Sequence, residues 1–316
     1  MRPPEAPALV LVAHGTRSGK GVEMIAALAE AVGRELGHRP DGAGTRCVHG
    51  GTGPDSRGRR AALPGTHGFA GCGCVANPLA DLATTPGAPA MGAVVRTAFV
   101  DVLGPAPSEV LRDLAAQPAN PAPAVVVPAF LASGYHVYQD VPREVGDSGH
   151  PAVTVTPAMG PDPALARIMA VRLRAVGWRP GDSVVFAAAG SSDPRARADV
   201  CRAAAMLTAQ LATPVRTAYV ATGTPRVPEV VAQLRAEGQE RVFIASYLLA
   251  HGLFHERLHQ AGATGVADPI GVHPAVVRLI ADRYRAAVRE QSGRPARRLA
   301  GSAGHSADRP GAGSRS

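Results

Sequence analysis

The sequence predicts an α/β protein made of two copies of one parallel strand–helix domain. Three observations carry that prediction. Apolar runs such as Val125, Val126 and Val127 hold no polar residue, which suits strands covered on both faces. Such runs alternate with amphipathic helical stretches, the pattern of βαβ units and a parallel sheet. The order of these segments also recurs along the chain once residues 38–93 are set aside.

The recurrence is visible segment by segment. "LVLVAHGTRS" (9–18) matches "VVFAAAGSSD" (184–193), an apolar strand, a glycine and small polar residues opening a helix. "TAFVDVLGPAPSEVLRDLAAQ" (97–117) matches "TAYVATGTPRVPEVVAQLRAEG" (217–238), a strand, a Gly/Pro turn and a helix. "VVVPAFLASGYH" (125–136) matches "VFIASYLLAHGLFH" (242–255), and "VTVTPAMGPDPALARIMAVRLR" (153–174) matches "GVADPIGVHPAVVRLIADRYR" (265–285). In "VVVPAFLASGYHVYQDVP", Pro128 ends the ladder because it has no N–H to donate, and a polar loop is expected past Gly134. The expected halves are 1–150, carrying the chemistry, and 151–290, structural, followed by a basic tail, 291–316.

The segment 38–93 interrupts the first half between its first helix and second strand. It holds 12 Gly and 6 Pro in 56 residues, the composition of a low-complexity stretch, and is expected to be disordered. The tail shows no periodicity and is expected to be disordered too.

Bulk properties exclude several classes. The net charge of +8 sits mostly in these two segments, so no folded basic face interleaved with aromatics is expected, and no nucleic-acid partner. No apolar run reaches the roughly 18–20 residues of a membrane span. The N-terminus lacks the long apolar core of a signal peptide. Four cysteines, at 47, 72, 74 and 201, are too few for a disulfide framework, which fits a reducing cytoplasm.

Ligands of open parallel sheets bind at the carboxyl ends of the strands. In the first half those ends carry His14, Asp101, Tyr135 and His136. Their counterparts in the second half are Ala189 for His14, Thr222 for Asp101 and Phe254 for His136. The repeat keeps the scaffold and drops the polar trio, so the fold does not require it. Two neutral imidazoles and a carboxylate suit a borderline divalent metal such as Fe(II), Co(II), Ni(II) or Zn(II), with positions left open for a substrate. His251, His255 and His259, spaced i, i+4, i+8, would share one helix face, as a metal site, a lid or a solvated face. In the insertion, Cys47, His49, His67, Cys72 and Cys74 have no standard zinc or cluster spacing. The glycine-containing "AAAGSSD" and "GTGTP"-type turns give no phosphate-loop or dinucleotide fingerprint.

"LVLVAHGTRS", "FVDVLGPAPSEVL" and "VVVPAFLASGYHVYQDVP" resemble signature segments of the sirohydrochlorin chelatases, the class II tetrapyrrole chelatases, in their long two-domain bacterial form. The likeness covers about residues 8–36 and 94–288. It implies a chelatase-like fold, two flavodoxin-like domains flanking a cleft. It implies a lyase that inserts Fe(II) or Co(II), as substrate, into sirohydrochlorin for sirohaem or cobalamin synthesis, with no organic cofactor. His14 and His136 would bind the metal and accept pyrrole protons, and Asp101 would stand where the family usually has a carboxylate, often Glu. Around them, Arg17, Lys20, Tyr135, Arg143 and His255 could contact the carboxylate-rich ring. The alternatives are a chelatase for another tetrapyrrole, or a metal- or tetrapyrrole-binding chaperone without turnover. The implied partner is a small tetrapyrrole, and the protein would be a cytoplasmic monomer or homodimer.

Overall fold

The computed structural model describes residues 6–15, 18–37, 93–101, 104–116 and 122–293. The apolar runs become parallel strands. β1 (Ala8–His14) buries its first six residues, and β3 (Ala124–Pro128) buries all five. With β2 (Val95–Val100) and β4 (Val153–Val155) they form a parallel sheet in the order β2-β1-β3-β4. The second sheet repeats it with β5 (Ser183–Gly190), β6 (Val215–Thr222), β7 (Val242–Tyr247) and β8 (Gly265–Val266), ordered β6-β5-β7-β8.

Among the described residues eight α-helices connect and cover the strands: α1 (Gly19–Glu35), α2 (Pro107–Ala115), α3 (Val141–Ser148), α4 (Pro163–Ala175), α5 (Pro194–Leu211), α6 (Val227–Ala236), α7 (Leu253–His259) and α8 (Pro274–Gly293). The duplication extends to small devices. Glu109 reaches back to accept from the Ala106 amide at the start of α2, and Glu229 does the same for Arg226 at the start of α6, each at 2.8 Å. Among the described residues no helix is long and apolar enough to cross a membrane.

The structure corrects two expectations. The boundary expected at 150 falls before β4, which pairs with β3 and so completes the first sheet. The final helix of each half also crosses over. α4 packs on α5 and β7, whereas α8 packs on α1, β3 and β4. Tyr284 of α8 donates to the Pro7 carbonyl at 2.6 Å, and Gln291 donates to Thr154 at 2.7 Å. One apolar core therefore runs through both sheets, from Leu9 and Leu28 to Phe186 and Phe243. The second correction concerns His136. It does not sit in a loop but starts a π-helical turn, His136–Asp140, that runs straight into α3.

The segment 38–93, apart from Ala93, and the tail from 294 on lie outside the described residues, with the expectations attached to them and to Cys47, His49, His67, Cys72 and Cys74. Cys201, on α5, is exposed.

Candidate active site

Parallel register places the strand ends side by side. His14, the last residue of β1, stands opposite Val100, so Asp101 is the next residue on the neighbouring strand. Val12 stands opposite Pro128, and the chain leaving β3 climbs past Phe130 and Gly134 to His136. The His14 and His136 rings come together, with centroids 5.1 Å apart and planes tilted by 33°. Phe130 stacks on His136 at 6.0 Å and Tyr135 meets it edge-on at 6.2 Å.

The π-helical turn sets the state of His136. It brings Asp140 back under the ring, with Oδ2 2.7 Å from Nδ1. An ionised carboxylate only accepts, so Nδ1 carries a proton, and in the neutral ring the lone pair falls on Nε2. Asp140 is buried and held in turn by Arg143, whose Nη2 lies 3.0 Å from Oδ1. Burial pushes the pKa of His14 below its ordinary 6.5, and the neighbouring His136 adds to the shift. Asp101 and a hydrogen bond with the Val100 backbone oppose it. Asp101 is exposed and adopts φ 78°, a left-handed conformation that aspartate tolerates better than most residues.

The two imidazoles line a cleft of about 830 Å³ between the halves. Its walls are largely apolar, with Phe130, Leu131, Leu248 and Leu249 among them. The second half contributes Ala189, Thr222 and Phe254, the counterparts of His14, Asp101 and His136. One wall therefore carries the imidazole pair, and the facing wall has Ala189 and Phe254 in their place, with Ser191, Ser192 and His251 also lining it. Tyr135, Leu253 and Phe254 expose apolar surface at this cleft, which favours a flat, largely apolar ligand.

The site residues expected from the sequence fall into several groups. His14, His136 and Tyr135 line the cleft. Asp101 lies beside them, lining a smaller recess behind His136 with Glu109, Asp140 and Glu144. Arg143 lines the same recess, whereas His255 lines neither space. Arg143 is drawn to Asp140 and Glu144, the nearest carboxylates, so it supports His136 indirectly. His255 is buried and its Nε2 faces the Ala267 carbonyl at 3.1 Å. Arg17 lies outside the described residues, and Lys20 is exposed on the first turn of α1. Sequence reasoning misses Asp140; its i, i+4 spacing from His136 is the available signal.

Two parallel-sheet domains of identical strand order, flanking a cleft with paired imidazoles on one wall, define a chelatase-like α/β protein. The chain belongs to the CbiX family, whose model matches it twice, at residues 77–176 and 183–287. No curated protein matches it in sequence. Solved structures share the fold. SirB from Bacillus subtilis with Fe3+ is 19% identical with a TM-score of 0.64, over 91% of this chain and 98% of that one. The sirohydrochlorin chelatase SirB from Bacillus subtilis subspecies spizizenii, in complex with cobalt, is 18% identical with a TM-score of 0.60, over 91% and 97%. CbiX, described as the terminal enzyme for biosynthesis of siroheme in denitrifying bacteria, is 20% identical with a TM-score of 0.54, over 89% and 99%.

Proposed function

We propose that this protein is a sirohydrochlorin chelatase, a lyase that inserts iron or cobalt into the ring of sirohydrochlorin. The observation that carries the reading is the His14–His136 pair at 5.1 Å on one wall of a cleft whose other wall has lost both counterparts. Metallation removes two pyrrole protons and exchanges the metal's water for ring nitrogens. The incoming divalent metal and the tetrapyrrole are both substrates. His136, whose Nδ1 is engaged by Asp140 so that a neutral ring carries its lone pair on Nε2, and His14, whose pKa is lowered by desolvation, can each ligate the metal or accept a proton. Asp101 places a negative charge near His14, which stabilises the imidazolium once a proton has moved. The apolar walls hold the macrocycle's faces and keep water away from the exchange. Tyr135, at the rim, offers a hydroxyl to the ring's carboxylates, and Arg17 follows the His14 strand closely enough in sequence to do the same. Both halves of the cleft come from one chain, so a monomer suffices for activity.

The test is metallation of sirohydrochlorin by Co(II) or Fe(II), followed by absorbance. The wild type should exceed the spontaneous rate, and His136→Ala should lose about 100-fold or more of that acceleration, in the range of a lost general base. A wild type no faster than the spontaneous reaction sinks the proposal, and tight binding without turnover would make the protein a carrier.

A further inference from the structure

The second half kept none of the polar trio, yet it has a histidine cluster of its own. His251 precedes α7, and His255 and His259 lie on it. The His255 ring is met edge-on by His251 at 4.8 Å and by His259 at 4.9 Å. Asp268, just past β8, joins them: His251, His255 and Asp268 each place one ligand-type atom within 4.8 Å of the others.

We propose that His251, His255 and Asp268 form a second metal site, for a borderline divalent cation such as Co(II), Ni(II) or Zn(II). Four observations support it. First, the Ala267 carbonyl can only accept, so the facing Nε2 of His255 carries the proton and Nδ1 keeps a lone pair. A ring nitrogen donating to a backbone carbonyl is the usual outer support of a metal-binding imidazole. Second, His255 is buried with His251 and His259 edge-on to its ring, so its position is set by packing without a metal. Third, ligand atoms about 2.1 Å from a tetrahedral ion stand about 3.4 Å apart. The present separation is thus closed by modest side-chain movement, and His251 and Asp268 are exposed enough to make it. Fourth, Asp268 is held only loosely elsewhere, its nearest cation being Arg172 at 3.7 Å. Two imidazoles and one carboxylate match borderline metals better than Mg or Ca. His251 also lines the cleft, so an ion there sits at the cleft's rim on the half opposite His14 and His136.

The site does not depend on the chelatase reading and is tested without turnover. Co(II) is titrated into metal-free His14→Ala/His136→Ala protein by calorimetry and visible absorption. One equivalent should remain, with the d–d bands of nitrogen and oxygen ligands and no thiolate charge-transfer band. Adding His251→Ala should abolish that equivalent, and Asp268→Asn should weaken it by about tenfold or more. Both residues are exposed, so the metal-free melting temperatures should match. No residual equivalent, an equivalent that survives His251→Ala and Asp268→Asn, or one showing only thiolate bands would overturn the site.

Discussion

Metal transfer through imidazoles needs a free ring lone pair, and two different devices prepare the two rings. Desolvation beside another imidazole pushes the pKa of His14 below 6.5. The protonated form is the inactive one, so activity should fall as pH drops, with the His14 contribution titrating below 6.5 rather than at it. Because the unfolded chain would bind that proton more readily, acid should also cost stability in the same window. The acid limb of kcat/KM against pH measures this, and an acid limb centred above 6.5 would contradict it. His136 is controlled by Asp140 instead. Asp140→Asn keeps the shape but can turn an N–H towards Nδ1 and favour the wrong tautomer. We expect about a 10–100-fold loss of turnover, smaller than for His136→Ala, with an unchanged melting temperature. The two histidines were legible in the sequence because the repeat discards them. The Asp140 support was not, because Pro128 and Gly134 read as a loop, and residues four apart meet only if the backbone is helical. The charge of Arg143 was visible in the sequence, but its pairing with the buried carboxylate one turn away was not.

At the scale of elements, strand and helix order followed directly from the alternation of apolar runs and amphipathic stretches. The strand ends were harder to read, because close backbone approach leaves little trace beyond a glycine. Gly190, at the end of β5, adopts φ 97°, and a Cβ there would lie 1.8 Å from the Thr222 carbonyl oxygen. That oxygen belongs to backbone and cannot move aside cheaply, since β5 and β6 are paired at this point after a register shift. Gly190→Ala should therefore destabilise the protein by about 3 kcal/mol or more, combining a forbidden conformation with a clash. Gly146 is the control. It lies inside α3, and a methyl group added there would meet nothing within 4 Å, so Gly146→Ala should be neutral or stabilising by up to about 1 kcal/mol. Urea denaturation of both variants separates the cases, and equal effects would show that the strand end yields.

Across the whole molecule, the exchange of α4 and α8 makes the two halves mutually dependent. An amphipathic helix announces that one face will be buried, but not which sheet will bury it, so this exchange was invisible in the sequence. Without α8, the first sheet would expose the face around β3 and α1, and without α4 the second would expose the face around β7 and α5. One core cluster is continuous across both sheets, while a smaller cluster stays within each half, so part of the core of each half is completed by the other. We therefore expect a single cooperative unfolding transition, with the fluorescence of Trp178, buried just beyond α4, and the far-ultraviolet circular dichroism of the whole chain changing at the same urea concentration. Tyr284→Phe probes the connection with little change of shape. Burial pushes the Tyr284 phenol up to about 12, so it remains a donor to Pro7 throughout the neutral range. Removing the hydroxyl should cost about 1 kcal/mol and shift both signals together, because a helix shared between the halves cannot loosen one without the other. Two separated transitions, with only the circular dichroism responding to Tyr284→Phe, would show instead that the halves fold independently.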